Sequence, residues 1–129
     1  MLSPVWAQVS THESAIAETI QLYFDGMMER DKAKLEQAFH PEAKLIGYRG
    51  AVLHVTPFTQ WVEATSKGGK RDLSSHHNQL IDIEITGYTA IAKVELNWPG
   101  IYYFDYLTLL RIDGHWKIVH KTWYEEPRY

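Results

Sequence analysis

The sequence predicts an α+β fold in which three N-terminal helices pack on one side of a strongly curved antiparallel sheet. Two observations carry this. From His76 to Tyr124 the chain reads as four strands folded back through three tight turns. Ahead of them, apolar residues recur at helical spacing in three short stretches. Helices first and a meander last is the order of a fold with its helices gathered on one sheet face.

A chain of 129 residues is expected to form a single domain, burying roughly two thirds of its unfolded surface in one core. Thirteen Lys and Arg against sixteen Asp and Glu give a formal charge of −3. The signs are interspersed, which argues against nucleic acid or an anionic membrane as partner. There is no cysteine, hence no disulfide framework and no thiolate metal site. The beginning of the chain lacks a charged region followed by an apolar run, and no apolar stretch reaches membrane-spanning length. A cytoplasmic protein is expected.

Residues 1–9 read as an arm. Ser10-Thr11-His12-Glu13 is a capping-box pattern, after which Ile16, Ile20, Tyr23, Phe24 and Met27 make one apolar stripe to about Arg30. Asp31 can cap a short second helix carrying Leu35, Ala38 and Phe39, which should stop at His40-Pro41 because proline disfavours helix in the residue before it. Two β-like runs follow, Lys44 to Tyr48 and Ala51 to Val55, joined through Arg49-Gly50. Thr56-Pro57 reads as cap and first position of a third helix, with Phe58, Trp61 and Val62 inward and Gly68-Gly69 ending it.

In the meander, Thr86-Gly87-Tyr88-Thr89 has the glycine of a type II′ turn, and Ile112-Asp113-Gly114-His115 has the Asp-Gly of type I′. Alternation about the first puts Ile81, Ile83 and Ile85 on the inner face with Ala90, Ala92, Val94, Leu96 and Trp98. Alternation about the last puts Trp116, Ile118, His120, Thr122 and Tyr124 inward. An even loop at Pro99-Gly100 then brings Tyr103, Asp105, Leu107 and Leu109 to the same face, in agreement with both ends. One end of this face is aliphatic, and the other gathers Gln79, His77, Tyr103, Asp105, His120, Thr122 and Tyr124 as the border of a cavity. Asp105 and His120 fall diagonally on adjacent strands, about 7–8 Å apart at the backbone, where side chains still meet.

Tyr23-x-Asp25-Gly26-Met27, Asp31, Leu35 and Ala38-Phe39-His40-Pro41-Glu42-Ala43 resemble the first half of a nuclear transport factor 2-like (NTF2-like) chain. Asp105-Tyr106-Leu107-x-Leu109 and Asp113-Gly114-x-Trp116-Lys117-Ile118-Val119-x-Lys121 resemble the second. This superfamily includes ketosteroid isomerase, scytalone dehydratase and SnoaL-type cyclases, and the closer likeness is to its branch labelled putative lumazine-binding. The resemblance implies a cone-shaped fold, a cavity closed by the first and third helices, and dimerisation. In ketosteroid isomerase-like members an inward carboxylate and a phenol from the first helix line the cavity, which by position implies Asp105 and Tyr23. In scytalone dehydratase-like members the chemistry rests on histidines, an aspartate and tyrosines, a set that His120, Asp105, Tyr103 and Tyr124 resemble.

The candidate catalytic residues are therefore Asp105, His120 and Tyr23. A carboxylate among apolar neighbours suits acid–base work, and equally suits a structural acid bonded to the backbone. Tyr103, Tyr124, Trp98 and Trp61 offer flat walls to a small apolar or aromatic ligand, and Thr122, Gln79 and His77 offer polar contacts. His54 and Tyr48 lie within reach of the rim. His76 and His77 point to opposite faces, so no metal site is expected, and no phosphate-binding glycine loop announces a nucleotide cofactor. On the outer face Ile91, Tyr102, Phe104, Tyr106, Val119 and Trp123 form an apolar strip suited to a homodimer. Three uses follow: a small-molecule-binding protein, a cofactor-independent isomerase, dehydratase or cyclase using Asp105 and His120 for proton transfer, and an interaction module with a vestigial cavity.

Overall fold

The computed structural model describes residues 5–129. Among them are α1 (Val5–Glu29), α2 (Lys32–Ala38), β1 (Phe39–Arg49), β2 (Val52–Pro57), α3 (Phe58–Thr65), β3 (His77–Thr86), β4 (Thr89–Trp98), β5 (Ile101–Ile112) and β6 (His115–Pro127). The strands form one open sheet in the order β2-β1-β6-β5-β4-β3, antiparallel except where β1 runs parallel to β6.

The expected arm is corrected from Val5 onward, since α1 begins there and runs through the Ser10–Glu13 pattern without a boundary; residues 1–4 of the arm lie outside the described residues. The apolar stripe does what its spacing requires: Ile16, Ile20, Tyr23, Phe24 and Met27 are all buried. Helix α1 ends on Arg30 in the left-handed region (φ 55°), and Asp31 caps α2 through Lys34 N. Gly26 allows α2 to sit close, because a Cβ there would lie 2.6 Å from Leu35 Cγ. The second helix stops one residue earlier than expected, and Phe39 opens β1 as a buried strand residue. At α3, Pro57 occupies the cap position itself, with no side-chain cap bond.

Both explicit turns form with two-residue loops. Thr86 pairs Thr89 across Gly87 (φ 58°), and Ile112 pairs His115 across Asp113 (φ 50°) and Gly114 (φ 80°). The Pro99-Gly100 loop is even, since Trp98 pairs Ile101. Strands β4 and β5 therefore take the expected parity, with Ala92, Val94, Leu96, Asp105, Leu107 and Leu109 all buried.

The two flanking strands depart from simple alternation. In β3 the register shifts between Leu80 and Asp82, so Ile81 is an extra residue and is exposed, and Leu80 takes the place opposite Val94. In β6 it shifts between the partners of Thr108 and Leu109, so Val119 is extra and Lys121 takes the place opposite Leu107. A one-residue bulge moves every later side chain to the other face. The inner-face assignments of His120, Thr122 and Tyr124, and of Ile81, Gln79 and His77, are corrected accordingly. Trp123, assigned outward, faces the core side.

Among the described residues no helix is long and apolar enough to cross a membrane.

Candidate functional site

Beyond the bulges, the pairings stack inner-facing residues in rungs across the sheet. One rung runs Ile83, Ala92, Leu107, Lys121, Leu45, Thr56, and the next runs Leu80, Val94, Asp105, Trp123, Gly47, His54. Lys121 and Asp105 are thus diagonal neighbours, in the relation expected of His120 and Asp105. Gly47 is required in its rung, because a Cβ there would stand 2.5 Å from Cδ2 of the Trp123 indole. The indole lies flat against bare backbone.

Helix α1 delivers Tyr23 onto this corner. The Tyr23 hydroxyl donates to Asp105 Oδ2 at 2.5 Å, and Lys121 Nζ donates to the Tyr23 oxygen at 2.9 Å. Lys121 Nζ stands 3.7 Å from Asp105 Oδ2, an ion-pair distance rather than a hydrogen bond. Tyr23 and Asp105 are fully buried and Lys121 nearly so. The ammonium is also ringed by aromatic faces, with Tyr23 and Trp61 centroids at 5.3 Å and Trp123 at 5.5 Å, within cation–π range.

Burial acts on all three groups by disfavouring their charged forms. It raises Asp105 above the usual carboxylate range despite the opposing pull of Lys121 and of the Tyr23 hydrogen bond. It lowers Lys121 despite the opposing pull of Asp105. It holds the Tyr23 phenol well above its ordinary value, and the neighbouring Asp105 carboxylate adds to this. Among the described residues Asp105 Oδ1 is buried without a hydrogen-bond partner, which a neutral carboxyl tolerates better than a carboxylate. Amine, phenol and carboxyl form a continuous hydrogen-bonded relay from Lys121 through Tyr23 to Asp105, along which a proton can pass.

Lys121 forms the floor of a cavity of about 250 Å³. Its apolar lining is Met27, Leu45, Leu96, Trp61, Trp98 and Trp123, and its polar lining includes Tyr103, Arg49, Arg71 and His54. Helices α1 and α3 contribute Met27, Trp61 and Thr65, as expected of the first and third helices. Tyr103 is half-buried; burial raises its phenol, with Glu125 adding and Arg49 and Arg71 opposing. Arg71 lies over Trp98 at 4.6 Å and donates through Nε to the Met27 carbonyl.

Of the residues singled out from sequence, Tyr103, Trp98 and Trp61 line this cavity, and Asp105 and Tyr23 stand behind its floor. His120, Thr122 and Tyr124 face the other way, Tyr124 donating to Glu126. Gln79 and His77 are exposed and border an open depression beside α1. Sequence reasoning missed Lys121, Arg49, Arg71 and Trp123. A signal for the β6 slip does exist: the presumed inner series turns from apolar to polar after Ile118, while the presumed outer series contains Val119 and Trp123.

The family model described as putative lumazine-binding matches residues 11–124. The chain is 30% identical over 127 residues to Aldolase FrzH of a Cladobotryum species, a match covering 92% of this chain and 95% of that protein. In fold it is similar to an NTF2-like protein of unknown function from Shewanella baltica OS155, with TM-score 0.84 at 21% identity over 98% of this chain and 100% of that one. A second such protein, from Silicibacter pomeroyi DSS-3, gives TM-score 0.82 at 23% identity over 93% and 98%. Matched over most of its length by the family model, the chain belongs to the putative lumazine-binding family, and it has the fold of the NTF2-like proteins.

Proposed function

We propose that this protein binds a small carbonyl compound in the cavity above Lys121 and activates the position next to the carbonyl through that lysine, as an aldolase or a related carbon-acid enzyme does. The observation carrying this reading is a buried amine at a cavity floor, hydrogen-bonded to a phenol that is itself hydrogen-bonded to a buried carboxyl. Burial favours the neutral form of a lysine, the form that is nucleophilic. The relative bearing an aldolase name, at 30% identity over most of both chains, supports the same chemistry.

The proton leaving Lys121 passes by way of Tyr23 to Asp105. The free amine adds to the carbonyl carbon, and the carbonyl oxygen departs as water, taking one proton from the amine nitrogen and one from the relay. The resulting iminium acidifies the neighbouring C–H. Transfer of that proton to the relay, which has just given one to the departing water, leaves an enamine. Its carbon either takes a proton back or adds to an acceptor carbonyl, whose oxygen takes the relay's proton, and hydrolysis of the iminium then frees the lysine. The acid–base pair of Asp105 with His120 is replaced here by Asp105 with Tyr23 and Lys121.

The test is borohydride trapping with 4-oxopentanoate, read by intact mass and peptide mapping, beside deuterium exchange at the carbons flanking the ketone. The expected result is one adduct at Lys121, with adduct and catalysed exchange both lost in Lys121→Met. Exchange that survives Lys121→Met overturns the reading. Binding without adduct or exchange would leave a binding protein.

We also infer that two copies associate through the outer sheet face. The supporting strip is Ile91, Tyr102, Phe104 and Tyr106, now with Tyr124 in place of Trp123; Tyr106 and Tyr124 are 44% and 57% exposed. Sedimentation of Tyr106→Lys, expected to shift toward monomer, tests it.

A further inference from the structure

The protein carries a net charge of −3, yet the lining of its cavity includes Lys121, Arg49, Arg71 and His54 and no carboxylate. Lys121 is matched by Asp105 behind it. Arg49 and Arg71 are not matched: among the described residues neither takes part in an ion pair. Arg71 is nonetheless fixed, by its Nε bond to the Met27 carbonyl and by its stacking on Trp98, which leaves its terminal nitrogens uncommitted. Both guanidiniums line the same cavity as the Tyr103 phenol. Arg30 adds a further positive charge beside Arg71. Besides Asp105, the inner face carries Glu125 opposite Tyr103, whose carboxylate accepts a hydrogen bond from the Trp123 indole at 2.9 Å.

Two guanidiniums without a counter-charge on one cavity wall, Arg71 partly buried and Arg49 exposed, favour an anion in that cavity, and their fork geometry suits a carboxylate. The volume is also restrictive. About 250 Å³ lies below the roughly 300–1,000 Å³ of pockets that hold drug-sized ligands. We propose that the substrate is a small oxo acid, its carboxylate held by Arg71 and Arg49 and its ketone or aldehyde reaching Lys121 between the Trp61, Trp98 and Trp123 walls. The carbonyl half rests on the function proposed above. The anionic half rests on the arginines alone.

The experiment compares 4-oxopentanoate and 5-oxohexanoate with their methyl esters by isothermal titration and borohydride trapping, using wild type, Arg71→Gln and Arg49→Gln. Circular dichroism and thermal melting establish that each variant is folded. Arg49 is exposed, so its replacement keeps the test available if Arg71→Gln fails to fold. Acids are expected to bind at least tenfold more tightly than esters in wild type, and the folded arginine variants to reduce that preference to about threefold or less. Equal binding of acid and ester overturns the proposal, as does an acid preference unchanged in the variants. Inorganic phosphate displacing the acids far better than acetate overturns the carboxylate assignment in favour of a phosphate-bearing substrate. An acid preference that depends on the arginines, without any adduct, upholds the anionic end and removes the lysine chemistry. Equal trapping of acid and ester does the reverse.

Discussion

Strands β4 and β5 pair without interruption from Thr89–Leu110 to Trp98–Ile101, whereas the strands beside them, β3 and β6, each carry one extra residue. The regular pair supplies the frame and fixes Asp105 inward. The bulged strands decide what Asp105 meets. In an unbroken ladder of the same sequence His120 would lie opposite Leu107; with Val119 extra, that place belongs to Lys121. A carboxyl–imidazole pair is thereby exchanged for a carboxyl beside a buried amine. One residue of slip separates two kinds of chemistry on the same sheet.

The largest expected effect comes from breaking the contribution of the frame itself. Asp105→Ala leaves the Tyr23 hydroxyl without its acceptor and Lys121 without its ion-pair partner, and should cost about 3–5 kcal/mol in urea unfolding, as loss of one partner of a buried pair does. Next is Gly47→Ala, whose new Cβ meets the Trp123 ring. Overpacking of this kind costs about 1–3 kcal/mol, and the displaced indole should also abolish ligand binding in the cavity. Deletion of Val119 sharpens the comparison: it regularises the ladder while leaving Lys121 opposite Leu107. A loss within about 0.5–3 kcal/mol is expected, with Lys121 still trapped by borohydride. Trapping lost in a folded deletion variant would mean that the bulge also aims the amine.

A pH experiment isolates the relay. The phenol of Tyr23 titrates near 10 when unfolded and well above 10 when folded. Its stabilising contribution is therefore complete below about pH 10 and is lost as pH rises toward the folded value. Relative to Tyr23→Phe, wild-type unfolding free energy should fall by up to about 1.4 kcal/mol per pH unit in that range. Parallel curves would contradict the buried, neutral phenol. The smallest effect is expected at Glu84→Gln, which removes a 4.0 Å pair with Lys93 on the exposed face; exposed pairs contribute little, and no change in melting temperature is expected.

The frame was legible in the sequence because its turns state their own geometry. Asp113-Gly114 and Gly87 require positive φ, and each fixes the pairing of its neighbours. Asp105 followed from alternation, and the inward position of Tyr23 from helical spacing, its place in the site being what the family resemblance implied. Lys121 did not, because the Val119 bulge contains no glycine or proline to mark it. The drift from Ile118 to His120, Thr122 and Tyr124 reads equally as the polar end of an inner face and as an outer face entered by slippage. Only the partner strands separate the two. Arg49 and Arg71 were hidden for another reason: one ends β1 and the other lies between α3 and β3, and their shared neighbour Tyr103 is distant from both in the chain.

Gly47 contributes to this protein by what it leaves out. The position of Trp123, and with it the shape of the cavity wall, is cast against a strand that offers no side chain there. Yet Gly47 is absent from the cavity lining. A mutational library confined to the lining residues would pass over the position that sets the mould. An engineer wishing to reshape the chamber for a bulkier guest should vary Gly47 and Trp123 as one unit, trading indole for a smaller ring whenever the glycine gains a carbon.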